Sequence, residues 1–178
     1  MLQHPFTVFV LTWCLLLSRA VAVAAQDQGR VGLTMWYPVG VGVVFGLSDR
    51  IALRPDFSLT RRVTEGITEN TVNTWGVGLS ALLYLQKSDS LSTYVSPRVA
   101  FGRSTERSPA YEPGEIVIDS WQASGSLGAQ YALVRRFTVF GEVGLAYADQ
   151  YLTKLDYPFF RKSQTWELRT IVGVTLLF

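Results

Sequence analysis

The chain has 178 residues, 48% of them hydrophobic and 17% charged, with 16 Lys and Arg against 14 Asp and Glu. That length suits one domain, and so even a charge balance points to neither a nucleic-acid nor an acidic partner. The one Cys and the one His, Cys14 and His4, lie so near the N-terminus that nothing beyond residue 25 offers a disulfide, a thiol, or an imidazole for base catalysis or metal binding, and no cofactor is expected.

Residues 1–25 read as a secretory signal. Residues 8–17 are a mostly apolar run broken only by Thr12, and Val23-Ala24-Ala25 before Gln26 is a small-residue cleavage site. The stretch before the run lacks Lys and Arg, which is unusual for such a signal. A bilayer-spanning helix needs about 20 apolar residues, so the run is too short to serve as one. Bulky Trp13 before Cys14, and Leu15 to Leu17 after it, argue against a lipoprotein acceptor site. The expected organisation is a cleaved signal over 1–25 and a single domain over 26–178. No window after residue 25 resembles a transmembrane helix. A membrane-inserted mature chain would then have to be a closed barrel, because hydrocarbon leaves an open sheet edge unsatisfied.

Eight segments follow, at about 30–37, 38–47, 51–62, 72–86, 91–103, 116–133, 137–148 and 164–178. Three of the breaks are tight: Gly46-Leu47-Ser48-Asp49-Arg50, Lys87-Ser88-Asp89-Ser90 and Val134-Arg135-Arg136-Phe137. Longer polar connections lie over 62–71, 104–115 and 148–163, and a short break falls at Tyr37-Pro38. Most segments alternate with period two. Val41, Val43 and Phe45 oppose Gly40, Gly42 and Val44; Ile51, Leu53, Pro55, Phe57 and Leu59 oppose Ala52, Arg54, Asp56, Ser58 and Thr60. Trp75 to Leu85, Leu91 to Phe101, Trp121 to Leu133 and Phe137 to Tyr147 repeat the pattern, which reads as antiparallel strands.

Alternation alone permits two barrels. A soluble one would turn its apolar faces inward and show water a surface of Gly, Ala and Ser with three Lys in the whole chain, far less charge than soluble surfaces carry. The inverted one faces lipid and encloses its charges. A charge at the bilayer midplane costs about 2–4 kcal/mol, and no Lys, Arg, Asp or Glu falls on the apolar set in the central parts of the segments. The expectation is therefore an all-β, eight-stranded antiparallel up-and-down transmembrane barrel. Aromatic residues agree: Tyr37, Phe57, Trp75, Phe101, Trp121, Tyr147 and Trp166 fall near the long-loop ends of the outward faces, and Phe45, Tyr131, Phe137 and Phe178 near the tight turns.

The final segment sets Trp166, Leu168, Thr170, Val172, Val174, Leu176 and Phe178 against Glu167, Arg169, Ile171, Gly173, Thr175 and Leu177. With this ending, the Gly-Val steps of 39–46 and the run Ser48-Asp49-Arg50-Ile51-Ala52-Leu53-Arg54-Pro55, the mature chain resembles the small outer-membrane β-barrels of the OmpA and OmpX type and the opacity-like porin group. The resemblance implies a cell outer-membrane location and outer-membrane lipid as surroundings. It also implies recognition of the final strand, from Trp166 through alternate residues to Phe178, by the barrel-assembly machinery. These motifs specify an architecture and an insertion route rather than a task.

The inward charges Arg54, Arg98 and Arg169 can meet Asp56, Glu142 and Glu167, three of each sign. A structural reading makes them a paired network filling a lumen only wide enough for side chains, together with inward Trp36, Tyr84, Tyr94 and Phe140. The alternative is a narrow channel for small solutes or ions. A third reading, a lipid-modifying enzyme, draws on inward Gly32, Gly40, Gly42, Gly76 and Gly78, which could leave room for an acyl chain. It lacks a His base, and Lys87, Lys154 and Lys162 all fall in turns or loops. The favoured expectation is a monomeric, non-enzymatic protein with a structural or surface-interaction role. The loops at 103–115 and 147–161, the latter with Tyr157-Pro158-Phe159-Phe160, are the places where an extracellular ligand would bind.

Overall fold

In the computed structural model, residues 31–38, 40–64, 70–88, 90–107, 115–154 and 159–178 are described. The region expected to be a signal, Val39, and the tips of the long loops lie outside them. Eight strands form a closed antiparallel barrel in sequence order: β1 (Val31–Tyr37), β2 (Gly40–Gly46), β3 (Ile51–Thr64), β4 (Asn70–Lys87), β5 (Leu91–Arg107), β6 (Glu115–Val134), β7 (Phe137–Lys154) and β8 (Phe159–Leu177). Closure is made by β1 against β8, with Gly32 opposite Leu177 and Tyr37 opposite Val172. The Phe178 amide donates to the Val31 carbonyl at 2.9 Å and fastens the last residue to the first strand.

The three tight turns and both strand termini share one rim, as an even strand number requires. There Leu47 and Ser48 amides donate to the Ile51 carbonyl at 2.9 and 3.0 Å, and the Ser88 amide to that of Leu91 at 3.0 Å. At the opposite rim the strands run further than the sequence suggests. Segments expected to be loop, 62–64, 70–71, 104–107, 148–154 and 159–163, are paired strand: Arg62 lies opposite Val72, Glu106 opposite Val72 and Ile116, and Leu152 opposite Arg161. Their composition is polar because water reaches both faces of them, and ladder hydrogen bonds continue regardless of side-chain polarity.

The inversion is plain in the burial pattern. Thr34, Ser80, Ser92, Ser96, Ser126 and Thr138 are buried along with Arg54, Asp56 and Glu142, while Leu127, Leu145, Val143 and Val172 are half exposed or more. On the outward face Trp75, Phe101 and Trp121 touch in series at ring-centroid distances of 5.6 and 5.0 Å, and Tyr147 meets Trp166 at 5.2 Å. Trp121 and Tyr131 on β6, like Phe137 and Tyr147 on β7, are ten residues apart. At ~3.3 Å per residue and a tilt near ~40°, that is about 25 Å of height, the apolar band of an outer-membrane barrel. Outward charges begin directly above the upper ring. Arg103 pairs with Asp119 at 2.6 Å, each two residues beyond a ring aromatic, and Lys162 pairs with Asp149 at 2.9 Å. The hydrogen bond that the Lys162 ammonium donates to Asp149, with help from Tyr151, raises it above its ordinary pKa.

Candidate functional site in the barrel lumen

The lumen is filled in layers. Lowest are Val44, Ala52, Leu82 and Tyr94 in contact, with Tyr84 packed against them and edge-on to Tyr94 at 5.7 Å. Beside them Thr175 donates to Thr34, and Thr34 to the Val174 carbonyl at 3.1 Å, so the hydroxyls near the closing seam are satisfied. Above comes Arg54, whose Nη1 lies 2.7 Å from Glu142 Oε1. The Tyr94 hydroxyl donates to the same carboxylate oxygen at 2.9 Å. The guanidinium is held between the rings of Trp36 and Phe140, at 5.3 and 5.4 Å from their centroids. Arg54 is 2% exposed, Glu142 4% and Tyr94 1%. A charge this deep is tolerable only because its partner, a hydroxyl and two ring faces replace water around it.

Several inward glycines are the seats on which these bulky groups lie. A Cβ at Gly40 would strike the Trp36 ring, one at Gly128 the Tyr94 ring, and one at Gly173 the Phe140 ring. Gly78 similarly makes room for Arg98 and Asp56. At Gly40 and Gly78, two of the five glycines on which the acyl-chain reading draws, the space is therefore taken up by Trp36 and by Arg98 with Asp56.

The upper layer is built around Arg98. It grips Asp56 with two hydrogen bonds, Nη2 to Oδ1 at 2.6 Å and Nε to Oδ2 at 3.0 Å. Its Nη1 donates to Gln122 Oε1 at 3.2 Å, and Arg169 Nη1 donates to the same oxygen at 3.2 Å. The Gln122 amide in turn donates to Glu167 Oε1 at 2.7 Å. All six inward charges thus lie in these two layers. Arg54 with Glu142 and Arg98 with Asp56 are ion pairs, whereas Arg169 and Glu167 meet an amide and, among the described residues, no opposite charge. Arg169 and Glu167 are two apart on one face of β8, and both reach the same carboxamide. Gln122 lies between them because its carboxamide both accepts and donates. Period-two parity places Gln122 inward in the sequence; its junction role comes from meeting Arg98 on neighbouring β5 and Glu167 and Arg169 two strands away on β8.

The outward residues proposed for assembly, Trp166, Leu168, Thr170, Val172, Leu176 and Phe178, are exposed along β8, with Val174 partly covered. A cavity of about 350 Å³ stands over the upper layer, bounded by Trp36, Asp56, Arg98, Gln122 and Arg169. Among the described residues no group of His, Cys, Asp and Glu is arranged to hold a metal ion.

No protein-family model matches the chain, and no curated protein does. Among solved structures, the chain is similar to a major outer membrane protein from Thermus thermophilus, at 11% identity over 85% of this chain and 100% of the other, with a TM-score of 0.51. It also aligns with CarO of Acinetobacter baumannii, at 11% identity over 84% and 97% with a TM-score of 0.42. The attachment invasion locus protein Ail of Yersinia pestis aligns at 14% identity over 84% and 95%, with a TM-score of 0.42. With its lipid-facing belt, paired aromatic rings and enclosed charges, the chain has the fold of the small eight-stranded outer-membrane barrels.

Proposed function

We propose that the protein is exported through cleavage after residue 25 and resides in the outer membrane as a monomeric, non-enzymatic barrel with a structural or surface-interaction role. In this reading the lumen is closed to solutes. The observation that carries it is the Arg54–Glu142–Tyr94 layer, clasped by Trp36 and Phe140 and nearly inaccessible to water. A permeating ion would have to part a pair whose separation leaves a buried charge costing about 3–5 kcal/mol. Interaction is assigned to the strand extensions above the upper ring. The twenty residues of β6 rise about 50 Å, twice the apolar band, so these hairpins stand well clear of the bilayer. The exposed series from Trp166 to Phe178 is assigned to the assembly machinery.

Planar-bilayer recording tests the closed lumen. The expected trace shows no discrete steps for the wild-type barrel. Reproducible openings that disappear in Glu142→Ala would overturn the reading in favour of a narrow channel.

A further inference from the structure

The barrel wall is not of even height. β1 and β2 have seven residues each, about 18 Å of rise, short of the ~25 Å band that the other strands cross. Pairing shows where the wall stops. β8 is paired to β7 as far as Phe159 but to β1 only from Leu177 to Val172, and β3 is paired to β4 as far as Thr64 but to β2 only as far as Phe57. Val172 lies six residues from Trp166 on one side and six from Phe178 on the other, halfway across the belt. Among the described residues, the β1–β2 hairpin thus leaves a notch in the wall, edged by β8 and β3, at the level of the outer half of the bilayer.

The cavity over the upper charge layer reaches that notch. It is bounded by inward Arg169 and Ile171 and also by outward Leu168 and Thr170 of the same strand. Among the described residues, the β8 backbone above Val172 has no strand partner on its β1 side, and hydrocarbon alone could not satisfy it. The electrostatics add a second condition. The Arg98 guanidinium is committed to Asp56, and Glu167, which also lines the cavity, takes the Gln122 amide; among the described residues Arg169 holds only the oxygen of that carboxamide, which leaves most of its N–H donors for another acceptor. Beneath, Trp36, Arg54 and Phe140 close the floor.

We propose that this vestibule is a laterally entered binding site for an anionic amphiphile. The headgroup, a carboxylate or a phosphate, sits on Arg169 beside Gln122. Its acyl chain leaves through the notch across Leu168, Thr170 and Tyr37 into the bilayer. A guanidinium presents a planar fork of donors to either headgroup. An acyl chain lying in the gap covers the apolar rim, and headgroup oxygens offer acceptors to the exposed edge of β8.

The test uses the folded mature barrel in a neutral detergent, with two probes: a dodecanoic acid and a dodecyl phosphate, each carrying a photoactivatable diazirine at the chain end. Cross-links mapped by mass spectrometry are expected at Tyr37, Leu168 and Thr170, and a neutral alkyl glycoside with the same diazirine should give few. Arg169→Gln should weaken binding about tenfold, the loss of one charge-assisted contact. Thr170→Trp, a lipid-side change that fills the notch, should remove the cross-links while leaving heat-modifiable gel mobility intact, so the test survives if Arg169→Gln fails to fold. Preference for one acid over the other identifies which headgroup the site takes. Labelling spread evenly around the belt, or unchanged in both variants, would overturn the proposal, as would competition by inorganic phosphate equal to that by the amphiphile. Protomer-to-protomer cross-links along β8 would show instead that a second copy covers the edge, and would overturn it too. Because conductance does not depend on this site, failure here leaves the closed-lumen reading to its own experiment.

Discussion

The lower and upper charge layers of the lumen are both built from arginines and carboxylates at inward positions, yet they differ in what surrounds them. Arg54 and Glu142 are shut between two aromatic rings and a tyrosine hydroxyl, with almost no contact with water. Arg98, Gln122, Glu167 and Arg169 face an open cavity under a missing section of wall. Identical residue types therefore serve unlike ends. Deep in the barrel, pairing is compulsory because an unpaired charge has nothing to turn to. In the vestibule, water is at hand and a cation can be left for a ligand.

Glu142→Ala should have the largest effect. Removing the carboxylate strands Arg54 among aromatic rings, and stability should fall by about 3–5 kcal/mol, read by urea unfolding in lipid vesicles. Exchanging the pair together, Arg54→Met with Glu142→Leu, should restore most of that loss, since an apolar pair needs no hydration. If the double change is as damaging as the single one, burial is not the cause. Val143→Arg places a charge on the belt near its middle, where Val143 is 50% exposed, and should cost about 2–4 kcal/mol of vesicle stability. A neutral result there would mean that face does not meet lipid.

Gln122→Ala tests the upper layer. It takes an acceptor from Arg98 and Arg169 and a donor from Glu167, but water can replace each, so the expected loss is about 1 kcal/mol. A loss as large as that of Glu142→Ala would erase the contrast between the layers. Arg103→Ala should do least, below about 1 kcal/mol, because its pairing with Asp119 is exposed and screened by salt.

Strand number, antiparallel order and the choice of inner face were legible because each depends on a local signal. Two-residue periodicity places Arg54, Asp56, Arg98 and Glu142 on one face of their strands without any knowledge of neighbours. The aromatic residues were legible for the same reason. Strand ends were less so. Polar stretches such as 104–107 and 148–154 look like loop in one dimension, because a ladder standing in water on both sides carries no apolar alternation to reveal it. Which charges pair was not legible at all. Glu167 and Arg169 appear balanced as a count, but both are taken up by Gln122, which lies two strands away on β6 and meets them only through the curvature of the sheet.

By itself, then, the sequence determined that eight alternating strands exist and that their oily sides look outward, since both follow from the chemistry of successive residues. Only the tertiary structure decided how far each strand is paired, which arginine is left without a carboxylate, and that the wall is low at β1 and β2. Those features arise from shear and register around a closed ring, where the length of one short hairpin sets what its two distant neighbours leave uncovered.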